Sequence, residues 1–156
     1  AIILKPKLEY ILSSSKYPPI GVRGAGFGFS HDNYKNEDPL NYIDKANNNL
    51  INIIQIESKV ALQNVEKIAA IDGVDCLWVG HFDLTNFLGI PGQFSSDIYL
   101  KALNRVVAAA KLNKKSLGIM VNNRDELKMY SNFGFNMIAV GTEMSILSRS
   151  ISEILQ

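Results

Sequence analysis

The chain has 156 residues, with 16 Lys+Arg against 15 Asp+Glu, 47% hydrophobic and 20% charged residues. That is enough for one domain with a real core, in the ordinary composition range of soluble globular proteins. The net charge of +1 excludes a field that would gather nucleic acid or an anionic membrane, so a charged substrate has to be met by local groups. The single cysteine, Cys76, excludes an internal disulfide and a cysteine metal cluster. It lies in the apolar run Cys76-Leu77-Trp78-Val79, where a buried, inert thiol is expected. No apolar run approaches a membrane span. The opening, Ala1-Ile2-Ile3-Leu4-Lys5-Pro6, lacks the layout of a signal peptide and reads as the inside of a protein. A reducing cytoplasm is the expected compartment.

In chain order, Tyr17-Pro18-Pro19-Ile20-Gly21-Val22-Arg23-Gly24 reads as a structured loop, because two prolines and two glycines exclude a helix or an interior strand. The loop continues through residues 24–38. A helix is expected at Pro39–Leu50, with Pro39 suited to its first turn. Four short apolar runs follow: Ile51–Ile56, Leu77–Val79, Leu117–Val121 and Met137–Val140. Each leads through a polar or glycine-containing turn toward a helical stretch: Lys59–Ala70, Asp97–Leu112, Arg124–Phe133 and Glu143–Leu155. Short continuous apolar runs of this kind fit parallel strands covered by helices. The repeat is strand, loop, helix, which gives a parallel α/β sheet with right-handed crossovers. A doubly wound sheet and a (β/α)8 barrel both use it. A whole barrel needs about 250 residues, so the chain is half a barrel with some extra chain or a small open sheet.

Gln55 and Glu57 end the first strand and, by alternation, share a face. Carboxylates at the C-terminal ends of parallel strands are where α/β enzymes keep reactive groups. Gly80-His81-Phe82-Asp83-Leu84-Thr85 follows the second strand. Gly80 permits close backbone approach to a ligand. Asp83 lies at the strand-to-helix junction. Glu57 and Asp83 thus follow consecutive strands on one rim, and two oxygen ligands with waters and substrate oxygens make a site for Mg²⁺ or Mn²⁺. The plainer alternatives are a helix cap or lysine partner for Glu57, a helix cap for Asp83, and a structural role for His81. His31, in the long loop, is expected at the surface. No zinc-protease, Walker, dinucleotide or Ser-His-Asp pattern is present. Gly24-Ala25-Gly26-Phe27-Gly28 imitates a dinucleotide loop, but no strand leads into it and no helix follows directly.

In combination these segments resemble the class II pyruvate aldolases, a group similar to 4-hydroxy-2-oxoheptanedioate aldolase and 2-keto-3-deoxy sugar-acid aldolases. The resemblance rests on Tyr17–Gly24, Ile54-Gln55-Ile56-Glu57-Ser58, Asp72-Gly73-Val74-Asp75, Val79–Thr85, Leu88-Gly89-Ile90-Pro91-Gly92-Gln93-Phe94, Gly118-Ile119-Met120 and Ala139-Val140-Gly141. It implies a parallel (β/α)8 TIM-type barrel, here incomplete: about the last four to five βα units as one partial domain over residues 1–156. It also implies that Ile2–Pro6 forms the fourth barrel strand, although the link from Pro6 to Tyr17 is then several residues too short. Glu57 and Asp83 would be the metal ligands, for Mg²⁺ or Mn²⁺ with Co²⁺ as a further option. Gln55 would hydrogen-bond pyruvate oxygens. Gly80, His81, Phe82 and Asp83 would surround the pyruvate carboxylate, with His81 standing where the family often has proline. The implied reaction is cleavage or formation of a 4-hydroxy-2-oxo acid, with pyruvate and a small aldehyde or 2-oxo acid as partners. A citrate lyase β-like or malyl-CoA lyase-like enzyme would use the same scaffold, but no basic cluster for coenzyme A is evident. A catalytically incomplete half-barrel serving as an assembly or binding module is the non-enzyme alternative. The family's general-base histidine and enolate-stabilising arginine belong to earlier strands, and neither His31 nor Arg23 matches them. The resemblance implies a homo-oligomer, because the family's last helix swaps between neighbours and Glu143–Leu155 is amphipathic; an ordinary packed terminal helix explains the same pattern.

Overall fold

A computed structural model describes residues 5–35 and 37–155. Its centre is a four-stranded parallel sheet: β1 (Ile53–Ile56), β2 (Cys76–Val79), β3 (Ser116–Val121) and β4 (Met137–Val140), in the order β1-β2-β3-β4. That order decides between the two architectures. A doubly wound sheet reverses direction at a switch point, whereas strands laid down consecutively with intervening helices form an arc of a barrel. The two faces agree. Ile54, Ile56, Leu77, Val79, Leu117 and Ile119 are buried on the helix side, while Ile53 and Gln55 are exposed on the other. Register aligns Gln55, Trp78, Gly118 and Met137 in one row across the inner face.

The helices form where apolar spacing and caps agree. The longest, α6 (Asp97–Leu112), starts at Ser96, whose side chain accepts from the amide of Tyr99. It buries Tyr99, Leu103, Val106 and Ala110 against the sheet. The next, α7 (Arg124–Phe133), is capped by Asn123 and stopped by Gly134 at φ 100°, a left-handed stop that favours glycine. The terminal helix α8 (Glu143–Ile154) begins with a Thr142/Ser145 capping box and has no buried residue.

Three expectations are corrected. The expected strand Ile2–Pro6 falls partly on residues 1–4, outside the described residues, and Lys5 and Pro6 open a helix instead, α1 (Lys5–Ser15). That helix occupies the interval to Tyr17. Tyr17–Arg23 then folds back over its end: Val22 N–H donates to the Ser13 carbonyl and Arg23 N–H to that of Lys16. A Cβ on Gly21 would stand 2.2 Å from the Ser13 carbonyl oxygen, so only glycine fits there. Second, the expected helix Lys59–Ala70 is two short ones, α3 (Lys59–Gln63) and α4 (Val65–Ala69). Asn64 breaks it by donating its side-chain amide to the Val60 carbonyl, local competition with the helical ladder. Third, the Gly80–Thr85 motif runs straight into a helix that apolar spacing did not disclose, α5 (His81–Leu88).

The expected helix at Pro39–Leu50 is α2 (Pro39–Asn49), capped by Asp38. Buried Asn47 docks it to the loop, accepting from Tyr17 N–H at 2.8 Å and donating to the Tyr17 carbonyl at 3.1 Å. Cys76 is buried, as expected. No helix among the described residues is long and apolar enough to cross a membrane.

Candidate active site

The site is built on the C-terminal ends of β1 and β2. Strand alternation carries Gln55 and Glu57 to the same face, and Gln55 Nε2 donates to Glu57 Oε2 at 2.6 Å. On the adjoining strand, the backbone of β2 ends at Gly80, whose N–H donates to the Ile56 carbonyl at 3.2 Å. A Cβ on Gly80 would lie 2.9 Å from Gln55 Nε2, 2.9 Å from Glu57 Cβ and 3.2 Å from Glu57 Oε2. The absent side chain is therefore the space that Gln55 and Glu57 occupy. Gly80 has φ −80°, so its role is room rather than backbone freedom.

Both capping alternatives are answered by the local geometry. Ser58, not Glu57, caps α3, accepting from Ala61 N–H at 3.2 Å. Asp83 is in the first turn of α5, while the N-cap position is Gly80 and no side chain makes a cap hydrogen bond there. Both carboxylates are thus left for other work. Asp83 is exposed and Glu57 half-buried. Helix α5 opens directly at the strand end, and the amides of its first turn have no acceptor within the helix.

The four residues Gly80–Asp83 split between two directions. Phe82 is 60% exposed and Asp83 is exposed at the rim. His81 is 7% exposed and turns into an aromatic cluster, its ring 4.7 Å from Phe82, 5.0 Å from Phe94 and 6.5 Å from Tyr130. Burial lowers its pKa from the ordinary histidine value, opposed by the charge of Glu126 and a hydrogen bond to the backbone of Val79. His31 is exposed, as expected, with Nε2 2.9 Å from the Gly26 carbonyl oxygen.

Trp78 escaped the sequence reading as a site element. It is the register partner of both Gln55 and Gly118 on the inner face, and a Cβ on Gly118 would meet its ring at 2.3 Å. Counting alternation back from Gly80 places Trp78 beside Gln55, but only once the register is known.

Among the described residues no group of three or more His, Cys, Asp or Glu gathers. Carboxylate oxygens on Glu57 and Asp83, with the Gln55 side chain against Glu57, are donors of the kind that suit a hard cation retaining waters and taking substrate oxygens, as Mg²⁺ and Mn²⁺ do. It does not fit a cation held by protein alone.

The HpcH/HpaI aldolase/citrate lyase family profile matches residues 4–150. The chain belongs to this family. Among curated members, the 5-keto-4-deoxy-D-glucarate aldolase of Shigella boydii is 31% identical over 150 residues, covering 96% of this chain and 58% of that protein. The hydroxypyruvate/pyruvate aldolase of Delftia acidovorans is 33% identical over 140 residues, covering 90% and 52%. The solved structure of an HpcH/HpaI aldolase/citrate lyase family protein from Burkholderia cenocepacia superposes with a TM-score of 0.88 at 30% identity, over 97% of this chain and 60% of that one. The chain spans little more than half the length of these relatives. Its sheet is accordingly part of an HpcH/HpaI-type barrel.

Proposed function

We propose that the chain carries the metal- and pyruvate-binding part of a class II aldolase site, which cleaves or forms 4-hydroxy-2-oxo acids from pyruvate and a small aldehyde or 2-oxo acid. The observation that carries this reading is the Gln55–Glu57–Gly80 cradle, in which a carboxylate and an amide share the space left by a missing Cβ. The names of the aldolase relatives support the reaction class. Glu57 and Asp83 would hold a divalent cation, Mg²⁺ or Mn²⁺ with Co²⁺ a further option, and when bound it supplies Lewis-acid polarisation of a 2-oxo acid.

The chain's own groups do the rest of the positioning. Gln55 Nε2 donates to Glu57 Oε2, which steadies the carboxylate and leaves the second Nε2 hydrogen to donate to a pyruvate oxygen. Phe82 and Asp83 present first-turn amides of α5 to the substrate carboxylate, where helix N–H groups and the dipole favour an anion. His81 contributes through its backbone and by wedging the start of α5, since its ring faces the aromatic cluster.

Homo-oligomerisation belongs to the same proposal. Helix α8 exposes Met144, Leu147, Ile151 and Ile154 at helical spacing, and a second copy is the partner that would cover them. Light scattering of Leu147→Glu/Ile151→Glu against wild type tests it: smaller particles are expected, and an unchanged mass contradicts it.

The reading is tested by melting metal-free protein with Mn²⁺, with pyruvate, and with both. A ligand that binds only the folded state raises stability by mass action, so the pair together should raise Tm more than either alone. No shift with any combination overturns the reading.

A further inference from the structure

A cavity lies between the start of α5, the Gly92–Ser95 turn and the first turns of α7. It encloses ≈ 570 Å³, within the roughly 300–1,000 Å³ typical of small-molecule sites. Two consecutive βα units form it entirely. Its floor is apolar and aromatic, from Phe94, Met129, Tyr130 and the ring of His81. Tyr130 is held from below by a hydrogen bond between its hydroxyl and that of Tyr99 at 3.0 Å. The mouth carries Asp125 and Glu126, and no lysine or arginine is among the lining residues. Glu126 cannot swing freely, because Oε2 accepts from the Asn122 amide at 2.7 Å. The ring of His81 packs 5.0 Å from Phe94 and 6.5 Å from Tyr130 and so forms one wall.

These features select by charge and shape together. Two carboxylates at the mouth oppose an anion. A bare metal ion finds too few ligands, since Asp125, Glu126 and His81 line the cavity without gathering into a group that could hold a metal. Aromatic faces and a fixed carboxylate act on the same positive charge, while the apolar floor takes a hydrocarbon body. We propose that this cavity binds a primary arylalkyl- or alkylammonium ion, with its N–H groups at Asp125 and Glu126 and its apolar part on Phe94, Met129 and Tyr130. The site is separate from the Gln55–Glu57–Gly80 cradle. It touches α5 from behind through His81, two residues before Asp83, so its ligand meets the same helix that serves the rim.

Calorimetric titration of the metal-free chain tests the proposal, with benzylammonium as probe and benzyl alcohol and benzoate as its neutral and anionic counterparts. Benzylammonium should bind at one site with a dissociation constant below about 1 mM, at least ten-fold tighter than benzyl alcohol, with no binding of benzoate. Asp125→Asn should weaken benzylammonium at least three-fold and leave benzyl alcohol unchanged. Met129→Trp, which fills the cavity, should abolish binding of both. Equal affinity for ammonium and alcohol, no heat with benzylammonium, or wild-type binding in Met129→Trp would overturn it. If Met129→Trp does not fold by circular dichroism, the Asp125→Asn comparison decides alone. Neither Mn²⁺ nor pyruvate is present, so failure here leaves the aldolase reading standing.

Discussion

Replacing Gly80 with alanine isolates the steric design of the cradle. The new Cβ would lie 2.9 Å from both Gln55 Nε2 and Glu57 Cβ, where ordinary contact begins at 3.4 Å. Backbone conformation contributes nothing to the cost, because φ at Gly80 is −80°. Glu57 must therefore retreat by about 0.5 Å, and Gln55 with it. Metal–ligand distances hold to within about 0.2 Å, so a displacement of that size takes the carboxylate out of position. Perturbing a ligand's support typically costs about 10–100-fold in metal affinity. Crowding a filled space costs about 1–3 kcal/mol of stability. The assay is Mn²⁺ titration followed by the electron paramagnetic resonance of free Mn²⁺, with melts of the metal-free protein alongside. Glu57→Gln is the control that should lose Mn²⁺ binding while keeping the metal-free Tm near wild type. Gly80→Ala with wild-type Mn²⁺ affinity and Tm would refute the reasoning.

Other positions give independent outcomes. Gly118→Ala should force the ring of Trp78 aside, since the added Cβ would stand 2.3 Å from it. A loss of about 1–3 kcal/mol is expected, with a shifted emission from the single tryptophan, and Trp78→Ala in the same chain should recover part of the loss. Asn47→Ala removes both hydrogen bonds to Tyr17 and leaves the Tyr17 N–H unmet, while the Tyr17 carbonyl still accepts from Gly21 N–H. About 1–3 kcal/mol should be lost in urea denaturation, without change in the m-value. Burial pushes the Cys76 thiol up to about 11, with Asp75 adding to the shift. Native protein at pH 8 should therefore resist a disulfide reagent that reacts promptly once urea unfolds the chain. A folded-state thiol pKa above its unfolded value makes stability fall as pH rises past the unfolded value, so Tm should decline above about pH 8.5.

The barrel arc was legible because its strands are short apolar runs with helices between them, and Met137–Val140 and Asp97–Leu112 coincide with β4 and α6. Where side chains compete with the backbone, periodicity misled. Asn64 divides a stretch whose apolar spacing reads as one helix. Helix α5 was hidden because its buried residues, His81, Leu84 and Thr85, include two polar ones. Helix α1 buries only Leu8 and Leu12 among its described side chains, too thin a stripe to read. Gln55 and Glu57 were legible as a pair, because strand alternation is a local fact, whereas Gly80 making room for them rather than for a ligand depends on the register of β1 with β2. The direction of His81 was not, because it depends on Phe94 and Tyr130, residues brought in by the following loop and by α7. Trp78 needed register, which is a property of paired strands and not of one strand's sequence.

The central claim is that Glu57 and Asp83 jointly hold a divalent cation at the ends of β1 and β2. A crystal of the chain grown with Mn²⁺ and pyruvate, with data collected on both sides of the manganese edge, tests this directly. The account predicts one anomalous peak within bonding distance of both carboxylates, at about 2.0–2.3 Å, with the remaining positions filled by oxygen. A peak elsewhere, or none at a Mn²⁺ concentration that saturates the protein in solution, would contradict it.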